Sequence, residues 1–207
     1  MVAGTVDKDY SSTWFSFRLA VASAAILLAA ASLGCGKPFN VKTQPALPPA
    51  SYTAKASLDG IAVEADPITD EDFLYDTFDA NLISAGVLPV RVRLTNSGGD
   101  IADCKEARFQ IDTLSKRFKA VEARKAFKRL ISYYGISVYT KSGYKESLEA
   151  FTSYALDIGT PIAGAESRQG LVFFLLPAEA ARQPGLTLRI TKLNSRQSGA
   201  GIALKLS

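Results

Sequence analysis

From residue 52 onward, hydrophobic and polar positions alternate with a period of two. In YTAKASLDGIAVEAD (52–66), Tyr52, Ala54, Ala56 and Leu58 fall on one face, followed by Ile61, Val63 and Ala65. Between the two runs, Asp59-Gly60 is the residue pair best able to occupy two successive positive-φ positions, so the pattern predicts a tight antiparallel hairpin. PVRVRLTN (89–96) sets Val90, Val92 and Leu94 against Arg91, Arg93 and Thr95, and ARFQID (107–112) sets Ala107, Phe109 and Ile111 against Arg108, Gln110 and Asp112. GLTLRIT (185–191) and GIALKLS (201–207) alternate in the same way. GLVFFLLP (170–177) carries no polar side chain, as suits a central strand covered on both faces.

One region departs from this period. In AVEARKAFKRLISYY (120–134), Ala123, Phe127, Leu130, Ile131 and Tyr134 recur at helical spacing, and Gly135 is placed to end the helix. A second, shorter helix is predicted over 144–151. Short alternating strands separated by Gly, Pro, Asn and Asp and interrupted once by helices predict a mainly β chain. The expected architecture is an antiparallel β-sandwich with a helical insertion near residues 116–151. NLISAGVLPVRVRLTN (81–96) together with ESRQGLVFFLLP (166–177) resembles the immunoglobulin-like domains of bacterial envelope lipoproteins. That resemblance implies a fold and no activity.

Upstream of residue 52 the pattern is of another kind. Leu19 to Gly36, LAVASAAILLAAASLGCG, carries no charge, with Arg18 before it and Lys37 after it. A positively flanked apolar run that ends in small residues reads as a secretory signal peptide. It falls a little short of the ~20 residues of a comfortable membrane span, although an uncleaved transmembrane anchor is the alternative. Ser32-Leu33-Gly34-Cys35 resembles the lipobox of bacterial lipoproteins. The resemblance implies cleavage between Gly34 and Cys35 and acylation of Cys35 as the new first residue. Ser32 stands where the commonest form of that motif has Leu. Gly36 rather than Asp after the cysteine implies, by the same resemblance, sorting to the outer membrane with the folded part facing the periplasm. One acyl chain holds a protein only marginally, at about 0.8 kcal/mol per buried methylene, whereas two or more hold it stably. The next stretch, 36–51, contains Pro38, Pro45, Pro48 and Pro49 and has no hydrophobic period. Read as an extended tether, it would reach roughly 50 Å. The expected organisation is a signal peptide over 1–34, a lipidated cysteine and tether over 35–51, and a β-sandwich domain over 52–207.

Composition narrows the chemistry. At 47 % hydrophobic and 21 % charged, the chain of 207 residues can bury one core. Having no histidine, it cannot build a Ser-His-Asp or Cys-His site or an imidazole metal site. The two cysteines, Cys35 and Cys104, form no disulfide framework. A net charge of +4 does not by itself argue for nucleic acid, and no nucleic-acid partner or cofactor is expected.

Three clusters are candidates for contact. Lys116, Arg117, Lys119, Arg124, Lys125, Lys128 and Arg129 are opposed only by Glu122. Of these, Arg124, Lys125, Lys128 and Arg129 would form a patch for anionic envelope material, the bland alternative being a solvated helix face. Asp66, Asp70, Glu71, Asp72, Asp76 and Asp79 suggest calcium, but Leu74 and Tyr75 break the loop pattern, so no metal site is assigned. Cys104 is read as inert. Tyr133, Tyr134, Phe173 and Phe174 are read as core rather than as a stacking platform. No catalytic residue is assigned, since no frame such as G-x-S-x-G singles out a Ser-Lys or carboxylate pair. The expectation is a lipid-anchored module that binds an envelope protein or anionic envelope component. A small enzyme built on non-histidine chemistry is the alternative.

Overall fold

The computed structural model describes residues 39–43, 52–136, 140–194 and 201–206. The apolar leader, Gly34, Cys35 and residues 44–51 lie outside the described residues. Strand β1 (Ala54–Leu58) turns at Asp59 and Gly60, with φ of 54° and 78°, into β2 (Ile61–Pro67), so the predicted hairpin forms at the predicted pair. Strand β3 (Val87–Asn96) pairs with β2 on one side and with β6 (Ser167–Leu175) on the other. Strands β4 (Arg108–Asp112), β5 (Arg117–Val121), β7 (Thr187–Thr191) and β8 (Gly201–Lys205) complete one antiparallel sheet in the order β1-β2-β3-β6-β5-β4-β7-β8. Its two ends, β1 and β8, come together, so the sheet curls into a nearly closed barrel or sandwich. Alternation turns Ile61, Val63, Val90, Val92, Leu94, Ile111, Leu188 and Ile190 into its core, where all are fully buried.

Strand β5 joins the two halves. Arg117, Phe118 and Lys119 pair with β4, whereas Ala120 and Val121 pair with Phe174 and Phe173 of β6. A strand that changes partners in this way turns a corner between sheet layers. This corrects the expected helical insertion at its start. Residues 117–121 are strand, and helix begins only after Glu122, whose ψ of 146° is still extended. The β5 backbone is satisfied by its hairpin partner β4 and by the distant β6, and local spacing does not report the second of these.

Three helices cover the outer face of β3 and β6. Helix α1 (Glu71–Phe78) lies in the acid-rich segment, α2 is Ala123–Tyr133 and α3 is Lys141–Ser153. A single turn, α4 (Ala178–Ala181), follows β6. An aromatic layer fills the space beneath the helices. Phe151 stacks on Phe173 at 4.9 Å, Phe127 and Phe78 each lie 5.4 Å from Phe151, and Phe78 is 5.0 Å from Tyr154. Strand β6 is therefore buried from both sides, with Phe173 toward the helices and Phe174 toward the barrel, as its unbroken apolar run predicts.

The body also reaches back beyond the Tyr52 expected as its start. Residues 39–43, FNVKT, lie as a strap across the helices with Phe39 and Val41 buried. The Asn40 N–H donates to Asp79 Oδ2 at 3.2 Å, and the Lys42 N–H donates to the Thr77 carbonyl at 3.0 Å. The Ser147 hydroxyl donates to the Phe39 carbonyl at 3.0 Å, and the Tyr154 hydroxyl to that of Lys42 at 2.9 Å. Burial holds the Tyr154 phenol above its ordinary value.

Candidate functional site

The basic cluster divides between two elements. Arg124, Lys125 and Lys128 project from the solvent side of α2, opposite its buried Ala123, Ala126, Phe127 and Leu130, and form no ion pair with any described residue. Arg129 is exposed too, but its Nε donates to the Ala85 carbonyl at 2.9 Å, which fixes the guanidinium against the start of β3. Lys116, Arg117 and Lys119 belong to the β4–β5 hairpin. Arg117 Nε donates to Asp112 Oδ1 at 2.6 Å, and Lys116 lies over the Phe118 ring at 5.4 Å. The structure thus gathers three of the four expected cations as a free face and commits the fourth to the fold. The two sites expected at Gly34 and Cys35 lie outside the described residues.

The C-terminal end of α2 differs from the expectation. Tyr133 and Tyr134, read as core, are 49 % and 37 % exposed. Tyr134 ends the helix and Gly135 follows at φ 62°, as the sequence indicates, but both rings at this end stay partly open to solvent. The Tyr133 ring stands edge-on to Tyr134 at 5.0 Å, and Tyr75 of α1, 51 % exposed, lies beside them. The Tyr134 hydroxyl accepts from the Asn81 N–H at 3.0 Å and donates to the Asn81 carbonyl at 3.2 Å. Partial burial raises its pKa, and the neighbouring Tyr75 acts in the same direction. Phe39 of the strap packs edge-on against the same ring at 5.5 Å. No single run of sequence carries this cluster, because α1, α2 and the strap each contribute to it.

The acidic segment is absorbed by structure. Asp70 caps α1 by accepting from the Phe73 N–H at 3.1 Å, and Asp79 closes the helix at φ 55° while holding the strap. Glu71 pairs with Arg182 at 2.7 Å, and that hydrogen bond holds its carboxyl below the usual range. Asp66 sits opposite Arg91 in the β2–β3 register, and burial pushes its carboxyl up despite the guanidinium. Among the described residues no three acids or cysteines converge as metal ligands. Cys104 is fully buried, and desolvation first, then Asp103, pushes its thiol above the ordinary value.

Two further features were not foreseen. A polar row crosses the outer face of β1, β2, β3 and β6. Lys55 and Arg93 flank Glu64 at 2.9 and 3.1 Å, Arg93 stacks on Tyr52 at 4.4 Å, and the Tyr52 hydroxyl donates to Gln169 at 2.6 Å. Where β5 leaves β4 for β6, the sheet parts into a half-open cleft of about 770 Å³ bordered by Arg108, Lys119, Glu122, Leu156, Leu171 and Phe173. Asp66, Cys104 and Asp112, whose protonation the fold displaces, all lie outside its lining.

No protein-family model matches the chain, and no curated protein matches it. Solved structures do. The candidate lipoprotein ycdA of Bacillus subtilis aligns at 15 % identity and a TM-score of 0.39 over 74 % of this chain, which spans only 38 % of that protein's length. A functionally unknown protein from Listeria monocytogenes aligns at 6 % identity and a TM-score of 0.39, covering 73 % of this chain and 80 % of that one. An uncharacterised β-sandwich protein from Clostridium difficile aligns at 13 % identity and 0.34, covering 74 % and 89 %. No residue role follows from these likenesses. Among the described residues, no helix is long and apolar enough to cross a membrane.

Proposed function

We propose that this chain is a bacterial envelope lipoprotein, acylated at Cys35 after cleavage at Gly34, that works by binding or scaffolding rather than by chemistry. The observation that carries this reading is the lipobox-like Ser32-Leu33-Gly34-Cys35 at the end of an uncharged apolar run. The folded body resumes at Phe39, so that run ends just before it. The free cationic face of α2 supports an anionic envelope component as partner. Gly36 after the cysteine favours the outer membrane, with the body facing the periplasm.

The test is to produce the full chain and its Cys35→Ala variant in a Gram-negative host, fractionate both and weigh them intact. The wild type is expected in the membrane fraction, shorter by residues 1–34 and heavier by its acyl chains, while the variant remains uncleaved. Full-length chain without acyl mass in both samples would instead make the apolar run a transmembrane anchor. If the chain proves to be an enzyme, the β4–β6 cleft is where its substrate would be sought.

A further inference from the structure

The strap fixes where an anchor would leave the body. Phe39 is buried against Phe127 and Tyr134 at one end of the helical layer, and Cys35 precedes it by only four residues. Four residues of chain, fully extended, span at most about 14 Å. The remaining prolines of the supposed tether, at positions 45, 48 and 49, follow the strap and lengthen nothing between Cys35 and the body. A body held this close cannot stand tens of ångströms from the membrane.

The surface at that exit point is unusual for this molecule. Among the described residues five large hydrophobic side chains are exposed, and three of them, Tyr75, Tyr133 and Tyr134, gather here. The other two, Ile101 and Leu114, stand on separate loops. Tyrosine has an apolar ring and a polar tip, the combination enriched at the headgroup level of bilayers. Tyr134 is already held by Asn81, so little ordering remains to be done on contact. The headgroup zone is roughly 5–7 Å deep on each side of the hydrocarbon, well within the reach of the chain between Cys35 and Phe39.

We propose that the end of the helical layer bearing Tyr75, Tyr133 and Tyr134 lies in the headgroup zone of the phospholipid bilayer that holds Cys35. The proposal rests on the lipoprotein reading above and adds the orientation of the body to it. The exposed cations Arg124, Lys125 and Lys128 lie five to nine residues before Tyr133 and, at helical periodicity, on another side of α2, so they would draw the body toward an anionic bilayer without lying among the tyrosines.

The experiment uses the full chain from a Gram-negative host, reconstituted into vesicles of phosphatidylethanolamine and phosphatidylglycerol. An environment-sensitive fluorophore is attached at Ser132→Cys, beside the tyrosines, or at Ser115→Cys on the β4–β5 turn. Cys104 is buried and stays unlabelled, which also reports that each variant is folded. Quenching by lipids that carry a spin label at the headgroup is expected to be severalfold stronger at position 132 than at 115. Tyr75→Ser together with Tyr133→Ser, both half-exposed positions, is expected to lower the quenching at 132 without removing the chain from the vesicles. Equal quenching at the two positions in an acylated chain would overturn this orientation and leave the lipoprotein reading standing. A chain whose mass shows Cys35 unacylated would overturn that reading and this proposal together.

Discussion

Asp112 sits where three strands meet. It accepts from Arg117 of β5 and from Arg189 of β7, and those guanidinium groups, Arg117 first, hold its carboxyl below the usual carboxylate range. A carboxyl whose folded pKa is depressed stabilises the fold above its unfolded value of about 4, and that contribution is lost as pH falls through the folded value. Because both guanidinium groups are about half exposed, the gain is modest. Arg189→Ala is expected to lower the urea midpoint slightly at neutral pH and to flatten its fall as pH drops below about 4. An acid limb as steep as that of the wild type would remove Arg189 from the account. Neither this triad nor the Tyr134–Asn81 clasp could be read from spacing, since their partners lie 77 and 53 residues apart. Asp59-Gly60 could, because a two-residue turn needs only its own backbone angles.

At the level of elements, alternation located every strand but β5 and β6, and β6 was legible as a doubly covered strand because its run has no polar break. Three elements escaped, one of them the single turn α4. Helix α1 buries Leu74, Thr77 and Phe78 but is surrounded by acids, and its cap at Asp70 was the signal passed over. Strand β5 adjoins a helix of similar basic composition, and its short alternation merged with it. Close packing at β6 has a direct test. Gly170 lies against the Ala155–Leu156 backbone, which bridges to Leu171, and a Cβ there would overlap Leu156. Gly170→Ala is expected to destabilise the protein by about 2–3 kcal/mol in urea unfolding, since backbone on both sides cannot yield. A loss below ~0.5 kcal/mol would show that the bridge can shift.

Considered as a whole, the described body sets a curled sheet on one side and a helical layer on the other, with the free cations Arg124, Lys125 and Lys128 and the exposed tyrosines on the helices. Reversal of the three free cations, as Arg124→Glu, Lys125→Glu and Lys128→Glu, is expected to weaken association with anionic vesicles by about 1 kcal/mol per residue at most. Arg129 is left in place because it serves Ala85. The difference between variant and wild type is expected to shrink as salt is raised. Vesicle association that the reversal leaves unchanged would return α2 to the role of a solvated surface. The sequence showed which residues were charged, but only the fold shows that Arg117 and Arg129 are already engaged.

The strap has a temporal consequence. Its partners Thr77, Asp79, Ser147 and Tyr154 all lie downstream, the last of them 112 residues beyond Lys42. A chain that emerges N-terminus first exposes Phe39 and Val41 long before α3 exists to receive them. Docking of the strap therefore cannot be complete until Tyr154 has arrived to close its loop. Before α3 emerges, of the strap's hydrogen bonds, only those with Thr77 and Asp79 can form, and its Ser147 and Tyr154 partners are still missing.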